Sequence, residues 1–580
     1  MPEGASRKEG FELEVSYRVG QGCEGEVESL KTASFVSCEY VPVVVTVETP
    51  DVPKVVTAGT SLLEQRCPAD IVVVIDISGS MGVEATLKSD DLEEVAHGLT
   101  LLDIAKHGVK TVIKTLGSED RLSLVAFNHE GMPVLKLTAM DEDGQNKAID
   151  AVESLDVGGG TNIWKGLSLA LKNLQDGAAA GVTGRLGHVV LLTDGQTRDR
   201  EHVMKSLKDY QACHEHLPGT VSTFGFGYSI DSDLLCQIAS FCEGTYSFIP
   251  DAGFVGTVFI NTLSNLLATF AREVVVAVEV EAEKGSIIGL LGAKQAGSNP
   301  DCVRARIGTL QYGQSRSVVL CMPRPASGIH AVPDICASVT YMLGGKAVKK
   351  TPLAKKADPI SAVVEVEHFR CKFVDTIERC MASAKAPVHS KLEEVLEAAM
   401  TRLHALAAEA EDNNEANKLK EDPFAKDLVE DIKGQSSEAF STRQYYLRWG
   451  HHYMPSIQFA HRVQQCNNFK DASVQHFGGD LFRAIRDHAD DIFNDLPAPA
   501  PQPRGSSDSG GSSGGGSWGG YAGARGYGSG GHFLPRPAPR PVSMSAYNDR
   551  HGVCIDAASM ARLVSTGGFR AVGDLRKGDR

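Results

Sequence analysis

Aromatic residues are scarce, at 6% of 580 residues, and only three are tryptophan. Basic residues are outnumbered as well: 58 Lys and Arg stand against 73 Asp and Glu, a formal net charge of −15. No basic cluster is dense enough to neutralise phosphates, which argues against nucleic acid and anionic membranes as partners. Long apolar runs are also missing. The valine-rich stretches are strand-sized and broken by Glu or Pro, so no membrane span is expected. Residues 1–15 lack an apolar core, so no secretory signal is expected either. Thirteen cysteines occur without framework spacing, the pattern of reduced thiols, and the expected location is cytoplasmic.

A 42% hydrophobic share with 23% charged residues is ordinary for globular protein. A chain of 580 residues is too long for one core, and several domains are expected. Residues 71–75 form an unbroken β-branched run, as a central parallel strand covered on both faces requires. That run ends in Asp76-x-Ser78-x-Ser80, loosened by Gly79 and Gly82. One carboxylate and two hydroxyls at alternate positions suit a hard divalent cation such as Mg²⁺.

Strands and helices alternate from residue 67 to about 270. Helices are predicted over 99–116, 141–155 with Asp141 as N-cap, 163–174, 231–241 and 254–270. Strands are predicted at the end of 118–127, over 134–137 as its hairpin partner, and over 188–193, 221–225 and 245–249. Thr161 follows the Gly158–Gly160 triplet, and Asp194 ends the strand 188–193. In a doubly wound sheet with right-handed crossovers both fall at the same carboxyl edge as Asp76, where ligands of such sheets sit.

This segment resembles a von Willebrand factor A (VWA) domain. Asp76, Ser78, Ser80, Thr161 and Asp194 match the family's metal-ion-dependent adhesion site, all five in order. The resemblance implies a Rossmann-like α/β domain over 67–270 that binds Mg²⁺ (or Mn²⁺ or Ca²⁺). It also implies recognition, through the metal, of a protein partner presenting an acidic residue. The family moves its last helix when the site is filled; here that helix runs directly into the next module.

The flanks predict other folds. Residues 1–33 read as a flexible polar arm with a possible first strand at 11–17. Strands within 34–66 and a β-rich stretch over 271–366 are expected to form one β-sandwich, with the VWA domain inserted between its strands. Residues 367–495 read as a helical domain, with helices over 369–383, 390–409, 424–446 and 482–493. The region resembles the helical module that follows the A domain in VWA–Hint proteins. His451, His452 and Cys466 match no zinc spacing, and neither do Cys213, His214 and His216; packing or surface roles are expected for both groups.

Residues 496–545 are rich in Pro, Gly and Ser, a flexible tether on the order of 40 Å between ends. Beyond it, Cys554, Gly567-Gly568 and Leu575-x-x-Gly578-Asp579 resemble the opening of a Hint (hedgehog/intein) domain. That resemblance implies attack by Cys554 on the preceding Val553 carbonyl, turning an amide into a thioester. The Thr/His block that polarises the amide does not occur before Arg580, so this tail is expected to be inactive as it stands. Three readings follow: a metal-dependent binding protein, a protein that self-cleaves in a full-length form, and a ubiquitin-pathway scaffold. The last ranks lowest because no cysteine cluster suggests a RING.

Overall fold

Strand Ala69–Asp76 is buried at every position, and its side chains divide between two helical layers. Ile71, Val73 and Ile75 pack with Val109, Val112 and Phe259 on one face. Val72 and Val74 pack with Leu167, Leu171, Leu207 and Leu234 on the other. A β-branched run with no polar face satisfies a strand only in this doubly covered position. The computed structural model describes most of residues 13–499, and the longest internal stretch outside it is 52–65.

The sheet around this strand runs Glu243–Ile249, Thr220–Phe226, Leu186–Thr193, Ala69–Asp76, Arg121–Phe127 and Gly131–Ala139. All neighbours are parallel except the last pair, which is an antiparallel hairpin. From Ala69–Asp76 the chain first builds one side of the sheet and then returns to add Leu186–Thr193 on the other. The direction of winding thus reverses between these two strands, and the crevice beyond their carboxyl ends is where such sheets place a ligand.

Two elements depart from the sequence reading. A hairpin of Glu84–Lys88 and Glu94–Thr100 occupies the crossover, and the first helix starts only at Leu101–Thr115. Thr100 stops the hairpin and caps the helix: its hydroxyl accepts from the Asp103 amide, while the Asp103 carboxylate accepts from the Thr100 amide. Helix Arg200–Cys213, absent from the helices predicted above, fills the crossover after Leu186–Thr193.

The inserted arrangement is visible in the pairing. Strand Phe35–Glu48 precedes the α/β sheet in sequence, yet it pairs with Arg316–Pro323, which follows it. Glu14–Val19 and Cys23–Glu28 also pair with Phe35–Glu48. The composition of this arm predicts flexibility around a possible strand at 11–17; Leu13, Val15, Tyr17 and Val19 alternate and are buried, which fixes that strand at Glu14–Val19. A second sheet runs Lys294–Asn299, Cys302–Gln311, Thr269–Val280, Ile335–Leu343 and Lys346–Lys350. Valines 43, 45 and 47 from the first sheet and 274, 276 and 278 from the second share one core. Gly344-Gly345, a pair that in sequence marks a hairpin, lies outside the described residues.

The C-terminal part is helical, with Ala362–Ala384, Leu392–Glu411, His451–Val463 and Asp480–Asp495 as its long members. A single helix over 424–446 does not form. Pro423–Asp431 runs into a π turn where Gly434 leaves helical geometry at ψ −112°, and Thr442 is extended. A glycine offers little resistance to such a kink. Residues 500–580 lie outside the described residues, and with them Cys554 and nearly all of the expected tether.

Candidate metal centre

Asp76 and Asp194 come from neighbouring parallel strands whose last residues run in register, Ile75 opposite Leu192. Asp76 is fully buried. Its Oδ1 accepts from the Ser78 amide at 2.8 Å, and its Oδ2 accepts from the Thr193 hydroxyl at 2.6 Å. Thr193 Oγ1 in turn accepts from the Gly195 amide at 2.8 Å. Thr193 therefore fixes the Asp76 carboxylate and the turn carrying Asp194 together, a role the sequence reading missed. Only its position immediately before Asp194 hinted at it.

The turn after Asp76 brings the Ser78 and Ser80 hydroxyls within 3.1 Å of each other. The Gly158–Gly160 loop is drawn against this turn by two backbone bonds, Gly158 N–H to Ile77 O at 2.7 Å and Gly79 N–H to Gly159 O at 3.1 Å. Gly159 has φ +84°, and a Cβ there would lie 2.6 Å from His129 Nδ1, so a side chain would push this loop away. Asn128 braces the loop from the other side, donating from its amide to Gly158 O at 2.8 Å. Ser78, Ser80 and Thr161 line one open cleft of about 600 Å³ with His129, Asn162 and Gln196.

Both carboxyls feel their burial. Asp76 is pushed up to about 6 by desolvation and by the Asp194 charge, against hydrogen bonds from Thr193 and Ser78. Asp194 is also pushed up by burial, and the Ser80 hydroxyl bonded to it holds it back. Asp194 Oδ1 is buried and accepts no hydrogen bond among the described residues. A buried carboxylate oxygen without a donor is costly unless a cation or water meets it. Two acids sharing one buried edge beside three hydroxyls, with one oxygen left over, form a donor set that fits a hard divalent cation.

The described residues, this site with its two acids included, hold no group of three or more His, Cys, Asp and Glu placed to bind a metal. His452 is a packing residue: its Nδ1 lies 2.9 Å from Ser232 Oγ and its Nε2 3.2 Å from Tyr228 O. His214 Nδ1 meets Tyr210 O, and His216 Nδ1 meets Glu273 Oε2 at 2.7 Å. The described cysteines are free thiols. No described helix is long and apolar enough to cross a membrane.

Comparison with known proteins identifies two domains in the chain. Residues 70–258 match the von Willebrand factor type A domain model, and residues 422–491 match the model described as VWA / Hh protein intein-like. An uncharacterized protein of Synechocystis is 31% identical over 195 residues, 32% of this chain and 39% of that protein. The E3 ubiquitin-protein ligase WAV3 of Arabidopsis thaliana is 26% identical over 287 residues, 47% of this chain and 33% of that protein. The chain thus spans no more than about two fifths of the length of these relatives. A solved von Willebrand factor type A protein from Catenulispora acidiphila covers 71% of this chain and 93% of its own, at 16% identity and a TM-score of 0.46. The chain carries a von Willebrand factor type A domain over residues 70–258, followed by a VWA/Hh protein intein-like domain over residues 422–491.

Proposed function

We propose that this protein captures a protein partner through a divalent cation held by Asp76, Ser78, Ser80, Thr161 and Asp194. Mg²⁺ is the preferred ion, with Mn²⁺ or Ca²⁺ as substitutes. The orphaned Asp194 Oδ1 beside the paired Ser78 and Ser80 hydroxyls carries the reading. The bound ion would supply Lewis acidity toward one partner carboxylate. The residues of the chain do the rest. Thr193 and the Ser78 amide orient Asp76, Ser80 orients Asp194, and the Gly158–Gly160 loop presents Thr161 to the same cleft. Isothermal titration with Mg²⁺ should give one site in the wild type and none in Asp194→Ala. Equal heats from the two proteins would contradict the reading.

Two other readings have narrower support. The Arabidopsis ligase favours a ubiquitin-pathway scaffold, but the likeness covers 33% of that protein. Self-cleavage at Val553–Cys554 in a longer form rests on the sequence resemblance of the tail. Equal processing of a full-length chain and its Cys554→Ala variant would remove it.

A further inference from the structure

Three parts of the chain meet at the start of strand Lys294–Asn299. The turn before it, Gly292 and Ala293, lies on helix Ala362–Ala384: the Gly292 N–H donates to Asp375 Oδ1 at 3.1 Å, and a Cβ on Gly292 would lie 2.5 Å from Cys371 Sγ. Gly292 has φ +67°, and the turn lies this close to the helix because no side chain intervenes. The next position on that face of the helix is Glu378, which binds Arg462 Nη2 of His451–Val463 at 2.6 Å. The turn thus delivers Lys294 beside Arg462 and Glu378, and Cys236 of the VWA helix Ser232–Phe241 stands near both cations.

Lys294 is exposed, and its ammonium makes no ion pair or hydrogen bond among the described residues. Its neighbours explain this. Across the ladder it stands opposite Arg306, another cation. The two carboxylates of the cluster are taken, Glu243 by Arg306 at 2.7 Å and Glu378 by Arg462. Like charges set opposite each other disfavour the charged form, and because arginines keep their protons the lysine yields. Desolvation in this crowded junction and the Arg462 charge, opposed by Glu378, lower Lys294 to about 8.

A lysine that is open to solvent, unpaired and partly uncharged near neutral pH is a nucleophile. Arg304 and Arg306 are exposed at alternate positions of the neighbouring strand, and their charges draw anionic reagents toward it. We infer that Lys294 is an acylation site, modified by activated acyl donors that carry phosphate, either acyl phosphates or acyl-coenzyme A thioesters. The amine nitrogen bonds to the acyl carbon as the bond from that carbon to phosphate oxygen or thioester sulfur breaks. The amine proton leaves with the phosphate or the thiol. The product is a neutral amide, which ends the repulsion from Arg306 and Arg462.

The test treats the full chain with a limiting amount of acetyl phosphate or of acetyl-coenzyme A at pH 7.4 and reads acetylation at each lysine by mass spectrometry. At that pH about a fifth of Lys294 is unprotonated, against about a thousandth of an ordinary lysine, and its lower basicity gives back part of the gain. Lys294 should therefore react about tenfold faster than the median lysine with at least one donor, and the donor that succeeds identifies the source. Its rate should level off above about pH 8, while the rates of the other lysines keep rising. Arg462→Gln, which frees Glu378 for the amine, should return Lys294 to the ordinary rate, and Glu378→Gln should not slow it. A rate no higher than the median with both donors overturns the inference. So does a wild-type rate at Lys294 that still climbs at pH 10, or an advantage that survives Arg462→Gln.

Discussion

Thr193 shows how little of the candidate site is made by ligand-type residues alone. Its hydroxyl donates to Asp76 Oδ2 at 2.6 Å, so Thr193→Val should leave the fold intact and let the carboxylate turn. The expected result is Mg²⁺ affinity weakened about tenfold, the effect typical of losing a group that orients a metal ligand, read by titration calorimetry. Asp76→Asn should behave differently. It removes one of two buried acids from the same edge, so the metal-free protein should be no less stable than wild type in urea. The rise in melting temperature produced by millimolar Mg²⁺ should vanish. Asp76, Ser78 and Ser80 were legible because they follow one uninterrupted β-branched run. Thr193, Asn128 and His129 were not, because their roles appear only once strands and loops remote in sequence lie side by side.

At the scale of elements, several contacts tie the C-terminal module to the rest of the chain, and two of them make testable predictions. Helix Asp480–Asp495 lays Phe493 against Gly256 of helix Val255–Ala268 and edge-on to His107 of Leu101–Thr115, 4.9 Å between ring centres. Both His107 nitrogens are buried without a hydrogen-bond partner among the described residues. Burial, reinforced by Lys110 and opposed by Glu153, lowers His107 to about 4. Below its unfolded value of about 6.5 the unfolded chain takes up a proton that the folded chain refuses. Stability is therefore lost as pH falls from about 6.5 to about 4, by up to about 3 kcal/mol from this residue, and no further below. His107→Leu should remove that part of the loss, seen as a smaller difference between urea midpoints at pH 7 and pH 4.5. A variant whose midpoints drop as far as the wild type's would refute the assignment.

The second contact is the amide-rich stretch after His451–Val463. Gln464, at φ +46°, accepts on its Oε1 from Arg316 Nε at 3.2 Å and from the Ser317 amide at 3.0 Å. Asn265 of the last VWA helix donates to Cys466 O at 2.6 Å. Gln464→Ala would strip an acceptor from a buried arginine and should cost about 2–3 kcal/mol in denaturant unfolding. Sequence alone gave these amides no role, since their partners sit 147 and 201 residues away. The broken helix over 424–446 was misread for the opposite reason. Its apolar spacing continues through Gly434, and periodicity cannot see one glycine leaving helical geometry.

At the scale of the molecule, the chain leaves its β-sandwich to build the α/β domain and then returns. Valines 41, 43, 44, 45 and 47 of Phe35–Glu48 are wholly buried, most of them between sheets completed only after residue 268. Their burial is worth on the order of 10 kcal/mol, comparable to the whole stability of a typical domain. A chain starting at residue 67 should therefore fail to fold its sandwich, with circular dichroism showing lost β signal and no cooperative melt for that unit. The insertion was legible because valine-rich strands stood on both sides of a strand–helix alternation. The first strand, expected at 11–17, forms at Glu14–Val19, its bounds blurred by the polar, glycine-rich composition around it.

Diffraction from a crystal soaked in Mn²⁺, recorded at a wavelength where manganese scatters anomalously, examines the metal centre without an intermediary. One anomalous peak should appear among the side-chain oxygens of Asp76, Ser78, Ser80, Thr161 and Asp194 and be absent in Asp194→Ala. A fully soaked crystal with no peak at that edge, or with manganese bound only elsewhere, would contradict it.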